Sequence, residues 1–372
     1  MRVMVGMSGG VDSSVAALLL TQQGYDVGGA TLRLLPQRCA DRMAGQQDVP
    51  CGGTTDVEDA RRIAARIGID HRVLDFSKAF DHQVVDRFIR GYAAGLTPNP
   101  CVDCNRTVKF PALLESARSL GYDAIATGHY ARIERDARSG RFTLRRAADP
   151  AKDQSYVLYA LSQDVLAHTV LPLGGLSKPD VRRIARANGF GVSDKPESQD
   201  ICFIRDGDYA NFLEEVGDIR CEPGDIVDAG GIVLGRHHGL HNYTIGQRKG
   251  VEVTPISPRS RPYYVIAKDL AGNRLVVGHQ EEAGFSGCTV VRPNWVSIAR
   301  PEHPLHVQVK TRYRQEPIPA TMTPGYLHGR HAGEAPMEVV SVEFEQLVDG
   351  VASGQACVFY RGSLLLGGGT IA

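Results

Sequence analysis

The chain has 372 residues, with 42 Lys plus Arg balanced by 42 Asp plus Glu. That length suits two or three ordinary domains, and the zero formal charge excludes a uniformly basic nucleic-acid coat, so any polyanion must meet a local patch. No apolar run reaches the roughly 18 residues of a membrane span, and MRVMVGMSGG is interrupted by Gly9 and Gly10 before a signal-peptide core can form, so a soluble cytoplasmic protein is expected. The first elements alternate in type. RVMVGM reads as a buried strand, Asp12 to Gln23 as a helix stopped by Gly24, Tyr25 to Leu34 as a strand, and Thr55 to Ile67 as a helix capped by Thr55 or Asp56. His71 to Phe76 follows as a strand, Phe110 to Leu120 as a helix and Ala124 to Thr127 as a strand. This βαβαβ rhythm predicts a parallel sheet with helices on both faces.

From Leu161 to Gly189 the pattern is helical, with Ser177 as a cap, proline in the first turn and Gly189 as terminator. Beyond about Asp206 short strands alternate with Gly and Pro turns, among them HVQVKTRY, MEVVSVEF and QACVFY. The expected organisation is an α/β domain over 1–205, a small central β-rich domain over 206–283 and a C-terminal β-barrel over 284–372.

The segment Gly6-Met7-Ser8-Gly9-Gly10-Val11-Asp12-Ser13-Ser14 joins the first strand to the first helix. Its glycines permit close backbone approach, and its hydroxyls and the helix N-terminus offer donors to an anion. It lacks the Lys of a Walker A loop and does not match GxGxxG. SGGVDS resembles instead the pyrophosphate loop of ATP pyrophosphatases, which adenylate a carbonyl and release pyrophosphate. Asp12 is then expected to help hold magnesium or orient the phosphates, to cap the helix, or to do both.

Eight cysteines (39, 51, 101, 104, 202, 221, 288 and 357) are too scattered for a disulfide framework in a chain of this size. Cys101 and Cys104 lie in TPNPCVDCN, where two prolines predict a stiff loop rather than a helix. A CxxC pair can be half a zinc site, a redox pair or a nucleophile with its neighbour, and no second pair follows to close a four-cysteine zinc site. Cys202, in Ser198-Gln199-Asp200-Ile201-Cys202-Phe203, reads as a small buried hydrophobe or, given its polar approach, as a presented thiol.

Taken together, SGGVDSS, TPNPCVDCN, ATGHYAR (126–132), KDQSY (152–156), SQDICF, TIGQRKG (244–250), KTRYR (310–314) and LGGG (366–369) resemble, in order, the motifs of the bacterial tRNA-specific 2-thiouridylases, the MnmA family. The resemblance spans nearly the whole chain and implies an N-terminal adenine-nucleotide alpha-hydrolase-like domain. It further implies ATP-dependent adenylation of the wobble uridine, then sulfur transfer from a cysteine persulfide. It places ATP on Gly6, Met7, Ser8, Gly9, Gly10, Val11, Asp12, Ser13, Leu32 and Gly128, with magnesium. It makes Cys104 the nucleophile and Cys202 the persulfide carrier, joined in a disulfide after turnover. Asn99, Pro100 and Cys101 fall in the segment that meets the target base, and Lys152, Asp153, Gln154, Arg312 and Tyr313 at tRNA-contact positions. Implied partners are tRNA, those for Lys, Glu and Gln, and a cysteine desulfurase or persulfide relay protein. Many relatives carry Asp where this chain has Cys101; Asp103 is near enough in sequence to substitute.

Arg236 to Arg274 holds seven Lys or Arg against two Asp or Glu, with Tyr243, Tyr263 and Tyr264 interleaved, a candidate track for an RNA backbone. His237, His238 and His241 lack Cys or carboxylate partners nearby in sequence and read as RNA or surface contacts; Trp295 reads as core. Two alternatives remain beside the thiouridylase. One is another pyrophosphate-loop ligase or amidotransferase. The other is an RNA-binding iron-sulfur protein, in which Cys101, Cys104 and Cys202 hold three irons of a cluster, a minority reading.

Overall fold

The computed structural model describes residues 1–42, 52–193, 195, 201–204, 208–253, 261–327 and 335–372. Five parallel strands form the first sheet in the order His71–Asp75, Asp26–Arg33, Arg2–Gly6, Ala124–Ala126 and Thr169–Val170. Side chains of Arg2–Gly6 alternate between two cores. Val3 and Val5 pack with Val15, Ala60 and Val181 from the helices Val11–Gln22, Thr54–Ile67 and Lys178–Ala187. Met4 packs on the other face with Leu113 and Leu114 of helix Pro111–Ser119. The chain runs outward from Arg2–Gly6 to one edge and returns on its other side as Ala124–Ala126, so the crevice between those two strand ends is the topological switch point where open α/β sheets bind ligands.

A small four-stranded sheet follows, in the order Tyr264–Asp269, Arg274–Gly278, Gly224–Val227, Val233–His237, around Ile226, Tyr243, Val265, Leu275 and Val277. The last six strands, from Gly284–Trp295 to Leu364–Ile371, close into a barrel because Gly284–Trp295 pairs with both Met337–Asp349 and Leu364–Ile371. Closure removes exposed edges. The hairpin Ala131–Arg135/Phe142–Arg146, which the sequence reading missed, extends the barrel sheet through Leu364↔Arg145 and Leu365↔Leu144. Tyr156, Val358, Tyr360 and Leu365 therefore share a core with the α/β domain.

Several local expectations need correction. The helix expected from Thr55 begins one residue earlier, at Thr54, and is capped by Gly53 rather than by Thr55 or Asp56. The helical pattern of 161–189 resolves into Gln163–Ala167, a short strand and Lys178–Ala187; Ser177 does cap the last by accepting from Asp180 N, and Gly189 follows it at φ +64°. Tyr209–Glu215 is a helix inside the stretch read as β-rich, and its Phe212 and Leu213 pack back into an N-terminal cluster. Tyr243, His237 and His241 are buried, so none of them is a platform or surface contact. His241 has partners the sequence hid: Glu214 and Cys221 bring their donor atoms within 4.8 Å of its ring nitrogen and of each other. Trp295 packs on Phe359 and donates to Glu338, as a core residue does.

Lys268 is one of the seven cations of the candidate RNA track, yet its Nζ is buried with no hydrogen-bond partner among the described residues. Burial pushes its ammonium down to about 8 from about 10.5. The unfolded chain therefore holds this proton to higher pH than the folded one, and stability rises as pH climbs from about 8 to about 10.5. Lys268→Met should stabilise the protein by about 1–3 kcal/mol at pH 7, and the advantage should disappear near pH 10.5; thermal melts across that range check both signs.

Candidate active site

The glycine loop leaves strand Arg2–Gly6 and turns into Val11–Gln22 under two constraints. At Gly9, φ is +71°, and a Cβ would stand 2.5 Å from the carbonyl oxygen of Asp56. At Gly128, in the loop after Ala124–Ala126, a Cβ would stand 2.7 Å from Ser13 N. Only glycine lets these segments meet. Hydroxyls fix the loop: Ser13 Oγ accepts from Ser8 N at 3.1 Å, and Ser14 Oγ donates to Gly10 O at 2.7 Å.

Gly6, Met7, Ser8, Asp12, Ser13, Leu32 and Gly128 all line one cavity of about 210 Å³ at the switch point. Gly9, Gly10 and Val11 form the turn and helix start behind it. Gln154, expected at RNA, lines this cavity too, and its Oε1 accepts from Tyr130 N at 2.9 Å. Two features, one lining the cavity and one behind it, escaped the sequence reading. His129 lines the cavity; burial, with Lys109 nearby, holds its pKa well below the ordinary value, so the imidazole is neutral. Lys178 bonds both oxygens of Asp12 at 2.8 Å, and Tyr130 OH donates to Asp12 Oδ1 at 2.6 Å. The Lys178 side chain is only 7% exposed. A signal existed: a cation in the first turn of a helix opposes the helix dipole, so it needs a carboxylate from elsewhere.

The cysteine segment corrects the loop expectation. Pro100 occupies the first position of a helical turn, Pro100–Cys104, where its missing N–H costs nothing. Asn99 caps it by accepting from Val102 N at 3.3 Å. The chain continues as π-helical Asn105–Lys109 and then Pro111–Ser119. Pro100 and Cys104 are buried and Cys101 is exposed. Asp103 does not substitute for a carboxylate at 101, because it is held in ion pairs by Arg87 and Arg106.

Cys202 is 98 positions from Cys104 (202 minus 104), yet both belong to one apolar cluster with Leu34, Phe88, Val108 and Phe203. Ser198, Gln199 and Asp200 lie outside the described residues. Lys195, from the segment leading to Cys202, bonds Asp56 at 2.9 Å and Asp59 at 3.0 Å, beside the glycine loop. Leu34 and Leu32 connect the two centres, since both line the glycine-loop cavity and pack in the cysteine cluster. Among the described residues one trio of metal-ligating side chains converges within 4.8 Å, Glu214/Cys221/His241, and it contains none of Cys101, Cys104 and Cys202. Cys39, a further thiol in the cysteine cluster, is pushed up to about 12 by burial and is a poor ligand when protonated. The iron-sulfur alternative gains no support.

The expected tRNA positions divide. Arg312 and Tyr313 are exposed on a barrel turn, and Tyr313 contacts the ring of Tyr156, the last residue of KDQSY, with centroids 6.0 Å apart. Asp153 is different. It accepts from Ala147 N, Ser155 N and Ser155 Oγ and pairs with Arg146 at 3.1 Å, leaving its side chain 2% exposed. Its carboxylate fixes the turn and is turned away from solvent.

Comparison with known proteins decides the family. Residues 1–206 match a tRNA methyl transferase HUP domain, 210–279 a tRNA methyl transferase PRC-barrel domain and 285–371 an aminomethyltransferase beta-barrel domain. A tRNA-specific 2-thiouridylase MnmA of Heliobacterium modesticaldum is 45% identical over 99% of this chain and 92% of its own length. One from Clostridioides difficile is 43% identical over 100% and 98%. The chain belongs to the tRNA-specific 2-thiouridylase family. A tRNA-specific 2-thiouridylase MnmA of Nostoc punctiforme is 44% identical over 100% of this chain and 98% of its own length. A solved 4-thiouridine synthetase–RNA complex with bound ATP is 16% identical over 58% of this chain and 50% of its own, with a TM-score of 0.32, too low to carry an argument. Among the described residues no helix is long and apolar enough to cross a membrane.

Proposed function

We propose that this protein is an ATP-dependent tRNA 2-thiouridylase acting on the wobble uridine. The observation that carries the reading is the shared wall of Leu32 and Leu34, which sets a glycine-loop nucleotide cavity against a cluster holding two cysteines from distant segments. The matched domain names speak of methyl transfer, but paired cysteines beside a nucleotide loop suit adenylation followed by sulfur delivery.

The uridine C2 oxygen is a poor leaving group, so O2 first attacks the α-phosphate of ATP and pyrophosphate departs. The terminal sulfur of a Cys202 persulfide then attacks C2, and AMP leaves with the oxygen. Cys104 thiolate attacks Cys202 Sγ and breaks the persulfide S–S bond, freeing the thiocarbonyl and leaving a Cys104–Cys202 disulfide that takes two electrons from a thiol reductant before the next turnover. Sulfur reaches Cys202 from a cysteine desulfurase or relay protein, and tRNAs for Lys, Glu and Gln are the substrates. Asn99, Pro100 and Cys101 meet the target base, while Lys152, Gln154, Arg312 and Tyr313 contact the tRNA. Asp12, the carboxylate of the cavity, fits a magnesium ion that takes one carboxylate plus substrate phosphates and neutralises phosphate charge when bound. The whole reaction is proposed for a cytoplasmic enzyme.

Nucleoside mass spectrometry of undermodified tRNA, after incubation with ATP, magnesium and a persulfide donor, tests the function. The expected product is uridine with one oxygen replaced by sulfur, formed only with ATP. Release of AMP without that product would overturn the reading in favour of another pyrophosphate-loop ligase.

A further inference from the structure

A second cavity, of about 320 Å³, lies behind the cysteine-bearing turn and is lined by Arg87, Arg90, Arg106, Arg292, Asn99 and Asp103 among others. Its walls come from the α/β domain and the barrel. Thr97 N donates to Ser353 O and Gln355 Nε2 donates to Thr97 O, each at 2.8 Å, and Gly354 at φ +92° brings the barrel loop against Thr97. The cleft is therefore preformed. Of its four guanidinium groups, Arg87 and Arg106 share Asp103. No described residue pairs with Arg90 or Arg292, which leaves a concave site with a net charge of about three positive units, the arrangement that attracts phosphate oxygens.

Arg292 supplies an independent indication. It sits at φ +51° within strand Gly284–Trp295, where the register to Leu364–Ile371 slips between Val291 and Asn294. A left-handed conformation at a non-glycine residue is strained, and bulges re-aim side chains. Here the strained residue lines the arginine cleft. The cleft shares no lining residue with the glycine-loop cavity, so it is not the ATP site.

We propose that this cleft is a phosphodiester subsite of the RNA substrate, gripping the backbone next to the nucleotide that is presented to Cys104. The inference rests on the tRNA-thiolating reading: a uridine that offers C2 to the Pro100–Cys104 turn carries a phosphodiester on either side of its ribose, and the cleft adjoins that turn. Arg90 and Arg292 are the two groups with charge left to give. Asp103 Oδ1 holds both Arg87 and Arg106 in the cleft wall.

Arg90→Gln, Arg292→Gln and the double variant test it, by filter binding of unmodified tRNA between 0.05 and 0.2 M salt, ranges on the order of those over which phosphate contacts are read. Each single variant should weaken tRNA binding about 10-fold or more, and the double variant should flatten the log–log salt slope by about 1. The loss should fall on the KM for tRNA more than on kcat, the KM for ATP should stay at its wild-type value, and melting temperatures should hold or rise because like charges are removed. Lysine at both positions keeps the charge and should retain most of the slope, which decides the matter if a glutamine variant melts early. Unchanged tRNA affinity and slope, with wild-type enzyme making 2-thiouridine, would overturn the subsite and leave the function standing. A defect with a protein persulfide donor that vanishes when sulfide supplies the sulfur would overturn it too, in favour of an acidic protein partner. Wild-type enzyme that binds no tRNA would refute the functional reading itself.

Discussion

Cys202→Ser should fail to take up persulfide sulfur and should lower tRNA thiolation by about 10³-fold or more, the scale seen when a covalent nucleophile is removed. Cys104→Ser should differ in kind. It should still load sulfur on Cys202 but stall, because no second thiolate remains to break the persulfide bond once C2 has been attacked. The structural basis is the asymmetry of the two sites. Cys202 is half-buried at the edge of the apolar cluster, where a donor can reach it, whereas Cys104 is buried at the end of the Pro100–Cys104 turn. Labelled-sulfur transfer followed by gel analysis separates loading from turnover. Normal thiolation by Cys104→Ser would sink the disulfide step, and a block in Cys101→Ser instead would move the nucleophile to the exposed thiol three residues earlier.

What could be read from the sequence was what short-range chemistry determines. The glycine loop was legible because strand, turn and helix start are contiguous, and glycine with small hydroxyl residues leaves few other uses for such a turn. The Ser177 cap and the Gly189 stop were legible for the same reason. The cysteine turn was misread because proline was weighed only as a breaker; at the first helical position it is compatible, and Asn99 was available to cap it. The remaining misreadings depend on long-range pairing. Asp153 looks like a surface charge in KDQSY until the Arg146 strand folds over it. The 131–146 hairpin finds its partner strand more than 200 residues later, at Leu364 and Leu365. His241 gains Glu214 and Cys221 only when helix Tyr209–Glu215 docks. The cleft arginines come from three segments, and nothing local distinguishes Arg292 from a strand-surface cation until its backbone proves left-handed.

Lys178→Met should reduce kcat for thiolation by about 10²- to 10³-fold, the usual effect of losing one preorganised charge contact in a site of this kind. The argument runs through Asp12. Its carboxylate lines the cavity proposed to receive the triphosphate, and an unneutralised anion there would repel the phosphates and oppose the charge that grows on departing pyrophosphate. Lys178 offsets that charge through contacts to both oxygens, and Tyr130 fixes the carboxylate from a third direction. Lys178 does not itself line the cavity, so it is a positioning residue whose effect must pass through its partner. Breaking the pair also costs stability, about 1–3 kcal/mol given that Asp12 is partly open to solvent. A double-mutant cycle isolates the functional part, since Asp12→Asn removes the negative charge that Lys178 serves to neutralise. Asp12→Asn/Lys178→Met should therefore be little slower than Asp12→Asn alone, with a coupling close to the whole Lys178→Met loss, about 2.5–4 kcal/mol. Lys178→Arg, which keeps the charge in a different shape, should recover part of kcat. Strictly additive losses in the cycle would mean that Lys178 supports the fold rather than the chemistry of pyrophosphate release.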